Sequence, residues 1–170
     1  MHNTSQKTEQ PDHFDPEKYT IITLEDEIRV DKLCKVLLQH YHHFLLENKD
    51  ISPLQAGGHA GGADYFLRDF MIDNRRTNIT AITPELIYGF AGNWYIINTL
   101  EPNMEELEDI LLGIDLFYRF CAEKSMLAPA LVGEVHQACS RIAYYQDRIE
   151  SFHKISGDGY MIWKSSCPLK

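Results

Sequence analysis

Apolar and polar residues recur with a helical period along much of the chain. In the clearest stretch, from Asn103 to Lys124, apolar residues follow one another by three or four positions and so line one helix face. They are Leu107, Ile110, Leu111, Ile114, Phe117, Tyr118 and Cys121. Asn103 can cap the N-terminus, and the acidic residues of the first turns suit the helix dipole. The pattern predicts a helix around which the domain is organised.

Two other helices have clear start signals. Thr23, with Asp26 three residues later, predicts a helix that runs to about Asn48. Its apolar residues cover a wide arc, which indicates that neighbours surround it on most sides. Thr83 followed by Pro84 predicts the start of another helix, because threonine caps well and proline suits the first helical position.

Glycine and proline interrupt the pattern between the first two helices. The segment from Asp50 to Asp64 contains Pro53 and two glycine pairs, and we predict a loop there. A helix is then expected from about Asp64 to Asn74.

The last long helix is predicted from Pro129 to His153, because its apolar residues step by four and three over about three heptads. Such a seam suits a dimeric coiled coil or a helix that packs along its own bundle. The flanking positions offer no facing opposite charges, which favours the bundle.

The two ends of the chain differ in composition from the middle. Residues 1–18 contain two prolines and only two large apolar side chains, and we predict a disordered tail there. Near the C-terminus, Tyr160, Met161, Ile162 and Trp163 are expected to dock on the bundle or to bind a partner. The sequence thus predicts one all-α domain, residues 19–170, built as a bundle of about five helices with a short docked C-terminal extension.

Composition narrows the class of protein. With 170 residues and 44% hydrophobic residues, the chain can bury a core and is not mostly disordered. Its net charge of -9 opposes non-specific binding to nucleic acid or to an anionic membrane. It has no apolar run of membrane-spanning length and no secretory signal pattern. The four cysteines lack a CxxC pair, so we expect a reducing, cytoplasmic setting.

A histidine cluster is the first candidate for chemistry. On a helix, His40 and His43 share a face with Glu47, and such side chains could hold zinc or iron. His59 and His136 are possible additional ligands from other segments. Alternatively, the histidines simply occupy the polar side of the helix. The sequence contains no HExxH motif to complete the metal site.

Other chemical motifs are incomplete. The stretch GGHAGGAD matches neither a P-loop nor a dinucleotide-binding fingerprint, and no GxSxG motif presents a serine nucleophile. The acidic residues between Asn103 and Asp115 could be paired catalytic carboxylates or a solvated helix face. We therefore expect no bound cofactor other than a possible metal ion.

One stretch is similar to a known family. Tyr65 to Leu127 combines an aromatic helix that ends in basic residues, a helix start of the form ITPE, and a helix that ends in LFYRF. The pattern resembles the helical core-binding (SAM-like) domain of phage-integrase-type tyrosine recombinases. Residues that carry it are Phe66, Phe70, Arg75, Arg76, Ile82, Thr83, Glu85, Ile87, Phe90, Leu116, Phe117, Tyr118 and Phe120.

The resemblance implies a helical arrangement and DNA contacts by a basic cluster. This cluster would be Arg75 and Arg76, joined by Arg68 and Lys124. The family's catalytic domain is longer than the chain after Leu127, so we expect no recombinase activity. Acidic residues outnumber basic ones across the stretch, which opposes DNA binding.

Three function hypotheses follow. The first is a non-enzymatic helical interaction or regulatory protein that binds another protein or itself. The second is a nucleic-acid-binding module similar to a recombinase core-binding domain. The third is a metal-dependent enzyme that uses His40, His43 and Glu47.

Overall fold

The computed structural model describes residues 10–166, and all regular secondary structure in this range is helical, as predicted. Two 3-10 turns, Asp12–Phe14 and Pro16–Tyr19, are followed by seven helices. These are α1 (Leu24–Glu47), α2 (α-helical over Pro53–Asp64, π-helical over Tyr65–Asn74), α3 (α-helical over Pro84–Gly89, π-helical over Phe90–Trp94, α-helical over Tyr95–Asn98), α4 (Met104–Glu123), α5 (Pro129–Cys139), α6 (Ile142–His153) and α7 (Gly159–Ser165). Within residues 10–166, no helix is both long and apolar enough to cross a membrane.

Helix α4 is the centre of the bundle, as its amphipathic pattern predicts. Its predicted apolar face is buried, and the Asn103 side chain accepts a hydrogen bond from the Glu106 amide at 2.9 Å. Helix α2 packs most closely against it. A Cβ atom on Gly62 would lie 2.8 Å from the Cα of Ile110, and one on Gly113 would lie 3.1 Å from the carbonyl carbon of His59. The two backbones can approach this closely because both positions are glycine.

The predicted loop from Asp50 to Asp64 is wrong, because α2 begins at Pro53. The Ser52 side chain accepts from the Gln55 amide at 3.1 Å, and the Gln55 side chain accepts from the Ser52 amide at 2.9 Å. This reciprocal pair is a capping box, with proline at the first helical position. Capping and packing on α4 thus outweigh the low helix propensity of four glycines.

The predicted single helix from Pro129 to His153 is two helices, α5 and α6. The Ser140 hydroxyl donates to the carbonyl oxygen of His136 at 2.6 Å, which is how serine competes with backbone helix bonds. Arg141 leaves helical geometry, with ψ at 54°, and its guanidinium lies over the rings of Tyr88 and Tyr144. A continuous heptad seam, and with it the coiled-coil alternative, is therefore excluded. This division and the helical C-terminal extension account for the difference between about five helices and seven.

The predicted disordered tail needs a correction for residues 12–18, while residues 1–9 lie outside the described range. The Tyr19 hydroxyl donates to the His13 carbonyl oxygen at 2.6 Å, and the Asn78 side chain donates to that of Pro16 at 2.9 Å. Phe14 packs against Phe120 of α4 with ring centroids 6.4 Å apart. The two 3-10 turns are thus fastened to the bundle.

The buried pair of Arg148 and Trp163 helps to hold helix α7 against α6. The guanidinium of Arg148 lies 3.9 Å from the ring centroid of Trp163 and donates to the Trp163 carbonyl oxygen at 2.9 Å. The indole nitrogen of Trp163 donates in turn to the Arg148 carbonyl oxygen at 3.1 Å. Both side chains are buried, and Arg148 also donates to the Gly92 carbonyl oxygen of α3.

Candidate functional site

Helix α1 is buried on one side only. Its core face includes Val30, Cys34, Leu37, Tyr41 and Leu45. In contrast, Ile28 is 52% exposed and Val36 is 38% exposed. The prediction that neighbours cover α1 on most sides is therefore wrong. Part of its apolar arc remains accessible to solvent.

This exposed part of α1 lines a groove of about 720 Å³ between the helix and the two 3-10 turns. Ile28, Leu33 and Val36 provide its apolar surface. Charged side chains of both signs surround them, namely Glu25, Arg29 and Lys32 from α1 and Asp12, Glu17 and Lys18 from the turns. An apolar floor with a polar rim is the usual anatomy of a protein-binding surface.

Local hydrogen bonds fix the shape of this groove. The Arg29 guanidinium donates to the carbonyl oxygens of Lys18, at 2.5 Å, and of Thr20, at 3.3 Å, which ties the second turn to α1. The Asp26 carboxylate accepts from the amides of Ile22 and Thr23 at 2.9 Å. These backbone hydrogen bonds lower the pKa of Asp26, because they favour the ionised carboxylate. Both walls of the groove are therefore formed without a partner.

The predicted metal ligands lie along the last turns of α1, away from this groove's lining. The imidazole of His40 stacks on that of His13, with centroids 4.4 Å apart and ring planes 10° apart. Burial and the neighbouring His40 lower the pKa of His13. Within the described part of the chain, no three His, Cys, Asp or Glu side chains are arranged to hold a metal ion. Among residues 10–166, His40, His43 and Glu47 therefore form no metal site, either with one another or with a side chain of another segment.

The four predicted nucleic-acid contacts are each engaged with other side chains. Arg68 pairs with Asp31 at 2.8 Å and with Asp64 at 3.0 Å. Burial opposes ionisation of Asp31, but the hydrogen bonds and charges of Arg68 and Lys35 prevail and lower its pKa. The remaining contacts are Arg76 with Glu27 at 3.1 Å, Arg75 over the ring of Phe70, and Lys124 over the rings of Phe14 and Phe120.

Lys124 lies away from Arg68 and Arg76 on the bundle. Arg68 and Arg76 pair with residues one turn apart on α1, Asp31 and Glu27. Lys124 lies beside Phe14, whose ring contacts His40, about 14 Å further along the α1 axis than Asp31. The structure does not unite the four side chains in one basic surface.

The predicted partner-binding residues of the C-terminal extension divide into two pairs. Trp163 is buried and Tyr160 packs against the core, whereas Met161 is 68% exposed and Ile162 is 74% exposed. The extension therefore docks on its own bundle through Trp163. Met161 and Ile162 are the two of the four that remain available to a partner.

Comparisons with protein-family models, curated proteins and solved structures find no match to this chain. The resemblance to a recombinase core-binding domain therefore stays a prediction. Any functional conclusion must come from the geometry of the surface.

Sequence reasoning missed the groove and a second cluster. In this cluster the buried carboxylate of Asp115 accepts hydrogen bonds from Arg119 and His136, both at 3.0 Å. His136 was considered as a ligand for the histidine cluster of α1, but it faces α4 instead. A signal for Asp115 existed, because it follows Leu111 by four residues and precedes Tyr118 by three. A carboxylate at that spacing lies on the apolar face of the helix.

Proposed function

We propose that this protein is a non-enzymatic interaction module that binds an amphipathic helix of a second protein along α1. The observation that supports it is the preformed groove with Ile28, Leu33 and Val36 on its floor. The α1 residues that line it run from Glu25 to Val36, about 17 Å along the helix axis. This length fits about three turns of a docked helix with apolar anchors at i, i+4 and i+7.

The charges around the groove favour a different protein over a second copy. In a two-fold antiparallel contact centred on the α1 lining residues, Arg29 of each copy would face Lys32 of the other. Such facing of like charges disfavours the contact. Arg29 and Lys32 both lie beside the apolar floor. The expected partner therefore carries acidic residues at the positions that would lie opposite Arg29 and Lys32.

Selection from a display library of short amphipathic helices tests this proposal. Peptides enriched by the wild-type protein are expected to combine apolar residues at helical spacing with flanking acids. Ile28→Glu should weaken their binding about tenfold or more, because burying a large apolar side chain contributes roughly 1.5–3 kcal/mol. Fluorescence anisotropy of labelled peptides measures the change in affinity.

Leu54→Glu is the matched control for this experiment. Leu54 is 88% exposed at the start of α2 and does not line the groove. Both substitutions are at exposed positions, so each should change the free energy of unfolding by about 0.5 kcal/mol or less. Selected peptides that bind the two variants equally well, or a selection without enrichment, would contradict the proposal.

Two further measurements separate the alternatives. A concentration-dependent dimer in sedimentation velocity that Ile28→Glu abolishes would assign the groove to a second copy. Salt-sensitive binding of a labelled DNA duplex that Arg75→Glu with Arg76→Glu abolishes would favour the nucleic-acid-binding module. We expect neither result, since the groove presents facing cations to a second copy and the chain as a whole is acidic.

A further inference from the structure

A stack of two imidazole rings joins the first 3-10 turn to α1. The two 3-10 turns, residues 12–19, form one wall of the groove along α1, and we call them the strap. The ring of His13 in the strap lies face to face with that of His40 on α1, and the ring of Phe14 packs against both. His40 lies one helical turn beyond Val36, so this ring cluster fastens the strap at that end of the groove.

The surroundings of His13 favour its neutral form. Its Nε2 atom is buried and has no hydrogen-bond partner among the described residues. An imidazolium ring carries an N–H donor on both nitrogens, so protonation would leave a buried donor without an acceptor. Because a buried donor without an acceptor is strongly unfavourable, the proton reaches Nε2 only when the strap leaves α1.

The charges around the stack also disfavour an imidazolium ring. His40 lies over the ring and belongs to no metal site among the described residues, so protonation of both imidazoles would stack two positive charges. The Lys124 ammonium, just after α4, approaches the same ring cluster. Asp12 acts in the opposite direction, while the Tyr19 hydroxyl donates to the His13 carbonyl oxygen. Burial first, and then His40, lower the pKa of His13.

We propose that the strap is an acid-sensitive wall of the groove, which opens when His13 takes up a proton. The closed strap binds this proton less well than the open strap does. The opening equilibrium therefore rises as the pH falls below 6.5, the ordinary pKa of histidine. One linked proton raises it by about tenfold at most between pH 7.5 and pH 5.5. Partner binding weakens with it, a step that rests on the proposed function.

Hydrogen exchange of the strap amides, followed by nuclear magnetic resonance, tests the opening without any partner. The amides of Asp15 and Lys18 donate to the carbonyl oxygens of Asp12 and Asp15 within the strap. After correction for intrinsic rates, their protection is expected to fall by about tenfold from pH 7.5 to pH 5.5. The amides of α4 should keep their protection, which distinguishes opening of the strap from unfolding of the whole bundle.

His13→Phe should remove this pH dependence, because a phenyl ring can stack on His40 but takes up no proton. The substitution also breaks no hydrogen bond of Nε2 to a described residue. His43→Gln is the matched control, since it removes an exposed histidine of the same helix and should leave the pH dependence unchanged. Equal pH dependence in the wild type and in His13→Phe would overturn the proposal.

A second variant keeps the test valid where His13→Phe itself loosens the strap. His40→Phe retains a ring against His13 but removes the facing imidazole. The His13 ring signals should then titrate at higher pH than in the wild type, since one source of the lowered pKa is gone. A His13 titration that does not move contradicts the coupling between the two rings.

Binding of a groove-selected peptide at the two pH values connects the strap to the proposed function. From pH 7.5 to pH 5.5 the affinity should fall more for the wild type than for His13→Phe. Equal losses, in spite of reduced strap protection, would show that the strap opens without controlling the groove, and the proposal would be wrong. If no peptide binds at either pH, the proposed function fails, while the exchange result still decides whether the strap is acid-sensitive.

Discussion

Gly113→Ala is expected to lower the free energy of unfolding by about 3 kcal/mol or more. The new methyl group would lie 3.1 Å from the carbonyl carbon and 3.2 Å from the Cα of His59, and closer still to the carbonyl oxygen. All three atoms are backbone atoms of α2, so no side-chain rotation can relieve the clash. Overpacking of a core usually costs 1–3 kcal/mol, and more where the neighbour cannot move, as a rough scale. Urea unfolding followed by circular dichroism measures the loss.

Gly61→Ala is the matched control for Gly113→Ala and should have the opposite sign. Gly61 lies in the same α2–α4 pair of helices, but a Cβ atom there would meet nothing within 4 Å. Replacing glycine by alanine inside an exposed helix stabilises by about 1 kcal/mol. If both variants shifted the urea midpoint in the same direction, the close approach of α2 and α4 would be refuted.

Trp163→Ala is expected to lower the free energy of unfolding by about 3–5 kcal/mol, the usual range for a buried tryptophan. Its indole is buried under Arg148 and packs against Phe152 with ring centroids 5.1 Å apart. Its removal also leaves the buried guanidinium of Arg148 without its aromatic contact. The same urea experiment measures this loss.

A double-mutant cycle with Arg148→Met tests whether the two side chains act as one unit. Because they share a cation–π contact and a reciprocal hydrogen-bond pattern, the double variant should be more stable than the sum of the single losses predicts. Met161→Ala, at a position 68% exposed on the same helix, should stay within about 0.5 kcal/mol of wild type. Additive losses would show that Arg148 and Trp163 contribute independently.

Helix boundaries could be predicted where a cap and a periodic apolar pattern coincide. The caps at Thr23, Thr83 and Asn103 all accept the predicted hydrogen bond. At Ser52 the cap was present, with Pro53 and Gln55 after it, but the glycines that follow suggested a loop. One of these glycines, Gly62, instead allows the close approach of α4, and a contact between distant segments leaves no mark in local sequence.

The candidate site was much less predictable than the fold. The apolar pattern of α1 includes Ile28 and Val36 together with residues that are buried. The pattern alone does not show which of these positions other segments cover. That depends on where the segment before Thr23 docks, and the docking of Phe14 and Tyr19 decides it. The contact between Asp115 and His136 likewise joins two helices whose register only the fold sets.

The glycine-rich first half of α2 also has a consequence for how the bundle folds. Relative to alanine, its four glycines weaken the isolated helix by about 4 kcal/mol in total. This segment cannot persist as a helix before α4 is present, so its amides gain their hydrogen bonds only as the two helices dock. We therefore expect the helical structure of α2 and its contact with α4 to form together in one step of folding.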